Sequence, residues 1–457
     1  MRSSRATNPQ MRRILLSSYL GSTIEFYDFL LYGLAASLVF NEVFFTGLDP
    51  VVGTIASFGT LAVGYLARPL GGIVFGHFGD RVGRKSMLVI TMTLMGAASC
   101  VIGMLPTTAQ VGALAPVLLV VLRVVQGVAV GGEWGGAALM ALEHSDKERR
   151  GFSSSVTNMG GPSGAVLATA IFGLLSLMPE SAFMAWGWRI PFLLSAVLVG
   201  VGLFIRLKIT ESPLFVAARE QAEAGAAAAP AKPPILVVLT RFRREVVLSA
   251  GGGLAAFTVQ SLLATFCIAY AMDAGHSRSA VLAVGAATSL VHVFTIPAFA
   301  VLSDRVGRRP VMLGGVAATV VLIHPVLLMI GEGSLGLLFV GYLIANPILQ
   351  ASMYGPLAAY TTEMFGTRSR YTGASLGYQL STTLGAGFAP IIGASLLASA
   401  GDNDPTYVSL FVAGVAVLSG LAIWRAAESR DRDLDSDDAQ AGRVEATARP
   451  EAVAVRA

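Results

Sequence analysis

The chain has 457 residues, 54% hydrophobic and only 13% charged, with 51 glycines and a mean hydropathy of +0.68. That composition excludes an ordinary soluble enzyme and points to packed membrane helices. The net charge of +4 does not imply a nucleic-acid partner, because the basic residues are spread over segments that flank apolar runs.

In chain order, twelve runs reach the length of about 18 residues that a membrane-crossing helix needs. They are 14–41, 52–76, 86–105, 112–138, 153–177, 187–207, 245–271, 280–302, 311–331, 334–358, 373–398 and 406–426. Their length and lack of alternation favour helices over a β-barrel. The first run is too long for a signal-peptide core, so no cleaved leader is expected. Residues 1–210 are expected to form one six-helix bundle and 245–428 a second. Between them, 211–244 reads as a cytoplasmic linker, Ala- and Pro-rich over 223–234. Residues 429–457 are charged and lack heptads, and read as a disordered cytoplasmic tail. Cys100 and Cys267 fall inside apolar runs and read as buried free thiols.

Orientation follows from Lys and Arg placement. Of the 32 such residues, only Arg189 and Arg278 fall in outer loops, and Arg68 and Arg123 lie within spans. The outer loops carry Glu42, Asp49, Glu180, Asp273, Glu332, Asp402 and Asp404 instead. Both termini are therefore expected to be cytoplasmic.

Two turns repeat. Asp80-Arg81-Val82-Gly83-Arg84-Lys85 joins the second and third runs, and Asp304-Arg305-Val306-Gly307-Arg308-Arg309 joins the eighth and ninth. The same order at the same place in each half marks a parallel repeat. Glycine permits the sharp turn. Asp80, Arg81, Arg84, Asp304, Arg305 and Arg308 are expected in the headgroup layer, pairing with each other, with helix ends and with anionic lipid. A second match sets Glu143 before Arg149, Arg150 and Gly151, and Glu363 before Arg368, Arg370 and Gly373. These ends are expected to pair with the Asp-Arg turns and latch an inner gate.

Ionisable groups inside a membrane are costly and each needs a reason. Glu25 and Asp28 share one helix face near mid-span. Two carboxylates so close would repel if both were ionised, so one is expected to hold a proton. The alternative is permanent neutralisation by an arginine on a neighbouring helix. In the fourth run, Arg123, Gln126 and Glu133 fall within one stripe at roughly 100° per residue. Gly127, Gly131 and Gly135 form a small-residue edge beside it, suited to close helix approach. Arg123 would attract an anionic substrate or the span-one carboxylates; the alternative is a purely structural ion pair. Arg68 reads as a snorkelling, structural or gating residue. His292 and His324 read as core histidines. Tyr27, Asn158, Gln260, Tyr354, Tyr378 and Gln379 are uncharged candidates for a cavity wall.

The chain resembles the metabolite:proton symporter family within the major facilitator superfamily. The resemblance rests on Gly21-Ser22-Thr23-Ile24-Glu25-Phe26-Tyr27-Asp28-Phe29-Leu30-Leu31-Tyr32-Gly33, on Arg68-Pro69-Leu70-Gly71-Gly72 and on the stretch from Arg123 to Gly136. Trp186-Gly187-Trp188-Arg189-Ile190-Pro191-Phe192 and the stretch from Arg370 to Gln379 add to it, as do the two Asp-Arg turns. It implies an all-α membrane protein with twelve transmembrane helices in two bundles, a central cavity and alternating access. It also implies proton-coupled uptake of a small organic solute: shikimate, citrate, 2-oxoglutarate or another carboxylate, or proline or betaine.

The reading is therefore a proton symporter in the cell inner membrane that imports a small carboxylate. Asp28, Glu25 and Glu133 would carry or assist the proton. Arg123 and Gln126, with Tyr27, Asn158, Tyr354 and Gln379, would form the substrate wall. The alternatives are uptake of a zwitterionic osmolyte and drug:proton antiport. The antiport reading is disfavoured because Gly161-Pro162-Ser163-Gly164 lacks the glycine that the antiporter motif continues with. No hydrolytic triad, metal-ligand cluster or phosphate-cradling loop is visible. Neither enzymatic activity nor a cofactor is expected, and the proton gradient would drive transport. The expected partners are the substrate, protons and lipid, with the protein a monomer.

Overall fold

The computed structural model describes residues 9–48, 50–175, 178–207, 234–366, 369–400 and 404–432. Apolar segments become helices because each backbone polar group in lipid must be bonded within its own segment. Twelve long helices stand among the described residues. The first six are α1 (Pro9–Leu38), α2 (Pro50–Val82), α3 (Arg84–Met104), α4 (Leu114–Glu143), α5 (Arg150–Leu175) and α6 (Ile190–Leu207). The second six are α7 (Arg243–Asp273), α8 (Arg278–Val306), α9 (Arg308–Gly331), α10 (Leu335–Glu363), α11 (Arg370–Ala400) and α12 (Thr406–Arg425). Ten segments are long and apolar enough to cross a membrane. The other two long helices, α1 and α2, run for 30 and 33 residues. No strand occurs among the described residues. Of the expected linker, residues 211–233 lie outside the described residues, and Pro234–Arg241 forms a short helix.

Helices α1–α6 form one bundle and α7–α12 the other. In the first, α2 packs on α4 and α1 on α5; in the second, α7 packs on α11 and α9 on α12. The bundles meet where α5 lies against α8 and α2 against α11. In the repeat, α2 corresponds to α8 and α5 to α11, so the interface is one contact used twice.

The small-residue edge of α4 does what its spacing predicts. Gly127 and Gly131 stand against the α2 main chain at Gly64 and Arg68, where an added Cβ would overlap the carbonyl oxygens. Helix α2 has two unlike faces. Leu66, Leu70, Val74 and Phe78 are exposed to the surroundings, an apolar stripe suited to lipid. On the other face, Thr383 Oγ1 donates to the Tyr65 carbonyl (3.0 Å). Gly72 and Gly76 stand there against Ser375 and Thr372 of α11.

Helices α2 and α8 run beyond their predicted ends at 76 and 302, to Val82 and Val306. Asp80, Arg81, Asp304 and Arg305 therefore occupy last helical turns, not loops. Each turn shrinks to one residue, Gly83 at φ 123° or Gly307 at φ 107°. Side chains rarely adopt that region, which explains the glycine in both copies. Helices α7 and α10 each contain a π-helical stretch, Leu262–Phe266 and Ala345–Gln350. Such stretches recur at functional sites.

Candidate functional site

Inside the first bundle, α1, α3, α4 and α6 bring five polar side chains together. Arg123 Nη1 donates to Gln126 Oε1 (3.2 Å), and Gln126 Nε2 donates to Ser99 Oγ (2.8 Å). Ser99 and Arg123 both lie close enough to act on the Asp28 carboxylate, which also accepts a hydrogen bond from Ser195 Oγ. Asp28 Oδ2, Arg123 Nε and Arg123 Nη2 are buried without a hydrogen-bond partner among the described residues. The Arg123 guanidinium carbon lies 4.0 Å from the Tyr32 ring centroid and 4.9 Å from that of Phe29. Arg123, Gln126 and Ser99 are thus joined by hydrogen bonds, and Asp28 stands beside them with no direct ion pair to Arg123 among the described residues. That arrangement suits a carboxyl that must both gain and lose a proton.

Glu133 goes elsewhere. Its Oε1 accepts from Arg206 Nη2 at 2.6 Å, and both side chains are buried. Arg206 Nη1 also donates to the Leu88 carbonyl (2.6 Å). Sequence reasoning counted Arg206 with the basic residues flanking α6. The structure instead turns it inward, against the space left by Gly21. Glu25 is buried in electrostatic reach of Glu133, Arg68 and Arg206, with Oε2 unpartnered among the described residues.

Where the bundles meet, Trp134 of α4 stacks on Tyr378 of α11, with centroids 3.4 Å apart and planes within 11°. Trp134 Nε1 donates to Asn158 Oδ1 (3.0 Å), and Asn158 Nδ2 donates to the Tyr354 carbonyl (2.8 Å). The Tyr354 and Tyr378 hydroxyls are 3.0 Å apart. Gln379 Nε2 donates to the Gly131 carbonyl (3.2 Å). Asn158, Tyr354 and Gln379 thus close a floor between the bundles. Tyr27 is not brought there: its hydroxyl donates to the Pro191 carbonyl (2.9 Å) within the first bundle.

Beyond this floor lies a duplicated latch. The Asp80 carboxylate accepts from Tyr371 N (3.2 Å), Thr372 N (3.0 Å) and Thr372 Oγ1 (2.8 Å). The Asp304 carboxylate accepts from Gly151 N (2.8 Å) and Phe152 N (2.9 Å). Each aspartate caps the first turn of a helix in the opposite bundle, where free N–H groups and the helix dipole favour an anion. Arg308 Nη1 holds Asp304 at 2.6 Å, and Nη2 reaches Glu363 at 3.2 Å. Glu143 pairs with Arg370 across the bundles at 2.9 Å. Arg81 and Arg305 are exposed and outside these bonds, which corrects the expectation that they close the gate. The side chain of Arg84 lies outside the described residues.

The segment after α12 joins the latch. Glu428 accepts from Arg308 N (2.9 Å) and Arg309 N (3.0 Å), and Ser429 Oγ donates to Glu363 Oε2 (2.6 Å). Arg432 Nη1 donates to the Glu363 and Met364 carbonyls, and its own carbonyl accepts from Arg150 Nη1 (2.9 Å). Residues 429–432 are therefore ordered, against the expectation of a disordered tail from 429. The rest of the expected tail lies outside the described residues.

Two family profiles match the chain: sugar (and other) transporter over residues 14–235 and major facilitator superfamily over residues 250–455. The shikimate transporter of Escherichia coli K12 is 39% identical over 415 residues, 90% of this chain and 94% of that one. The chain belongs to the major facilitator superfamily. It is a multi-pass membrane transporter and not an enzyme. The proline/betaine transporter of the same organism is 33% identical, over 91% of this chain and 83% of that one. Among solved structures, the proton:xylose symporter XylE bound to 6-bromo-6-deoxy-D-glucose superposes with a TM-score of 0.76 at 18% identity, covering 93% of this chain and 98% of that one. That likeness supports the fold of this superfamily member.

Of the sequence-predicted residues, the structure joins Asp28, Arg123 and Gln126 in one cluster. It joins Asn158, Tyr354 and Gln379 in the floor, and Asp80, Asp304, Arg308, Glu143 and Glu363 in the latch. Sequence reasoning missed Arg206, Ser99, Ser195 and Glu428. A polar residue at helical spacing on α3 or α6 was the available signal for the two serines. Arg206 stands one residue from the end of its apolar run, so it reads as a flanking charge.

Proposed function

We propose that this transporter is a proton symporter that imports a small carboxylate-bearing metabolite. The observation that carries the reading is the buried cluster in which Asp28, bonded to Ser195, stands beside the hydrogen-bonded set Ser99, Gln126 and Arg123. Asp28 is the proton carrier, and Arg123 senses its charge from within electrostatic reach. Glu25 and the Glu133–Arg206 pair set the surrounding field. The similarity to a shikimate transporter supports the carboxylate class.

The interbundle hydrogen bonds among the described residues all lie between the Tyr65–Thr383 bond and the Asp80 and Asp304 turns. With those turns on the cytoplasmic side, as the distribution of Lys and Arg argues, this is an outward-facing state. Opening the latch would be the step that releases solute inward.

Uptake by proteoliposomes under an imposed inward proton gradient tests the reading. The panel is shikimate, citrate, 2-oxoglutarate, proline and betaine, each with and without a protonophore. Protonophore-sensitive uptake of an acid is expected. Uptake of proline or betaine alone would favour the osmolyte reading, which the proline/betaine relatives support. Uptake that ignores the protonophore would refute proton coupling.

A further inference from the structure

We infer that Arg68, not Arg123, holds the substrate's carboxylate, with Glu25 receiving a hydrogen-bond donor of the same molecule. The inference rests on the symporter reading above and names the residues that recognise its substrate.

Arg68 lies on the α2 face that meets the second bundle. One turn before it, the Tyr65 carbonyl accepts from Thr383, and one turn after it, Gly72 stands against Ser375 and Gln379. It therefore sits between two contacts with the second bundle. Its guanidinium carbon lies 4.4 Å from the Phe29 ring centroid and 4.7 Å from that of Tyr65. It makes no ion pair or hydrogen bond among the described residues, although only 4% of it is exposed. Ring faces alone are weak company for a buried cation, and an unpaired buried charge is costly.

Glu25 is the matching acid. It is 3% exposed, with Oε2 unpartnered and no cation within salt-bridge distance among the described residues. Arg68 and Glu25 act on each other, and both act on Tyr354 and Tyr378 of the second bundle. Both therefore stand on the first bundle's side of the interface, within reach of the second bundle and not bonded to each other among the described residues. Each neighbouring charge holds one side-chain hydrogen-bond partner: Glu133 has Arg206, Asp28 has Ser195, and Arg123 has Gln126. A ligand that brings a carboxylate to the Arg68 fork and a hydroxyl or ammonium donor to Glu25 completes both. That is a hydroxy acid or an amino acid.

Phe29 makes the arrangement consequential. Arg68 and Arg123 lie over the same ring, at 4.4 and 4.9 Å from its centroid. An anion loaded on Arg68 is felt at Arg123, and through it at Asp28, without touching either.

Equilibrium binding of shikimate, citrate, 2-oxoglutarate, proline and betaine to purified full-length protein tests this, using no proton gradient. The wild type is expected to bind at least one donor-bearing member, shikimate, citrate or proline, more tightly than 2-oxoglutarate and betaine. Arg68→Gln should weaken that ligand by about 10- to 100-fold, the loss expected of a charged hydrogen-bond pair. Arg68→Lys keeps the charge but not the fork, and should fall between. Arg123→Gln should lower gradient-driven accumulation and weaken binding less than Arg68→Gln does. An Arg68→Gln protein that binds its ligand as the wild type does overturns the inference, as does loss of binding in Arg123→Gln instead. If Arg68→Gln fails to fold, wild-type affinity in Arg68→Lys overturns it. Binding of none of the five also overturns it, since each carries a carboxylate. Failure of proton coupling would show only in the gradient experiment, so the two readings fail separately.

Discussion

Removing the Asp80 carboxylate should open the latch. In the closed state it accepts three hydrogen bonds from Tyr371 and Thr372 at the start of α11. Hydrogen bonds to a charged group contribute about 1.5–3 kcal/mol each before water replaces them in the open state. A lost helix cap costs about 1 kcal/mol and the dipole term adds up to about 1 kcal/mol. A net shift of about 2 kcal/mol toward the open state is therefore expected for Asp80→Ala, roughly a 30-fold change in the open-to-closed ratio. Asp80→Asn keeps one acceptor and should shift it less. The assay is a spin-label distance distribution between cysteines at positions 81 and 305, with Cys100 and Cys267 replaced. Arg81 and Arg305 are exposed and lie outside the latch, so labels there report without disturbing it. Asp304→Ala should behave alike, because Asp304 caps α5 as Asp80 caps α11. Distributions for both variants that match the wild type would refute the claim that these caps hold the bundles together.

Three further outcomes are expected. Asp28→Asn should abolish accumulation against a gradient in proteoliposomes while substrate counterflow persists; accumulation equal to wild type would remove Asp28 as the proton carrier. Arg206→Ala should lower the detergent melting temperature strongly, because it leaves Glu133 buried and unpaired at a cost of about 3–5 kcal/mol. Adding Glu133→Ala should then recover part of the loss, and a further additive drop would show that the two side chains act independently. Glu428→Ala removes acceptors from two N–H groups at the start of α9 and should cost about 1 kcal/mol. In the spin-label assay it should raise the open fraction less than Asp80→Ala does; an unchanged fraction would mean that the segment after α12 does not bear on the gate.

Much of the fold is legible in the sequence because lipid imposes a simple rule on it. Each of the twelve apolar runs contains one helix, and the order of Asp80 to Lys85 recurs at Asp304 to Arg309. The helix ends are less legible. Hydropathy falls at Gly76 and Leu302, but the helical backbone continues until Gly83 and Gly307 break it. The site divides in the same way. Asp28, Arg123 and Gln126 stand out as polar residues in apolar runs, and the pairing of Arg123 with Gln126 follows from helical spacing. Bonds between residues far apart in the chain, such as Asp80 with Thr372 or Asn158 with the Tyr354 carbonyl, follow from the docking of the bundles, which no local pattern encodes. Arg206 shows the limit most clearly. A basic residue at the end of an apolar run reads as a flanking charge, and only the space beside Gly21 turns it inward.

The most direct test of proton-coupled symport is to add substrate to proteoliposomes with no imposed gradient and follow the internal pH with a trapped indicator. The symporter account predicts that substrate entry acidifies the interior, that a protonophore abolishes the signal, and that Asp28→Asn lacks it while still exchanging substrate. Substrate entry with no pH change in the wild type would contradict the account.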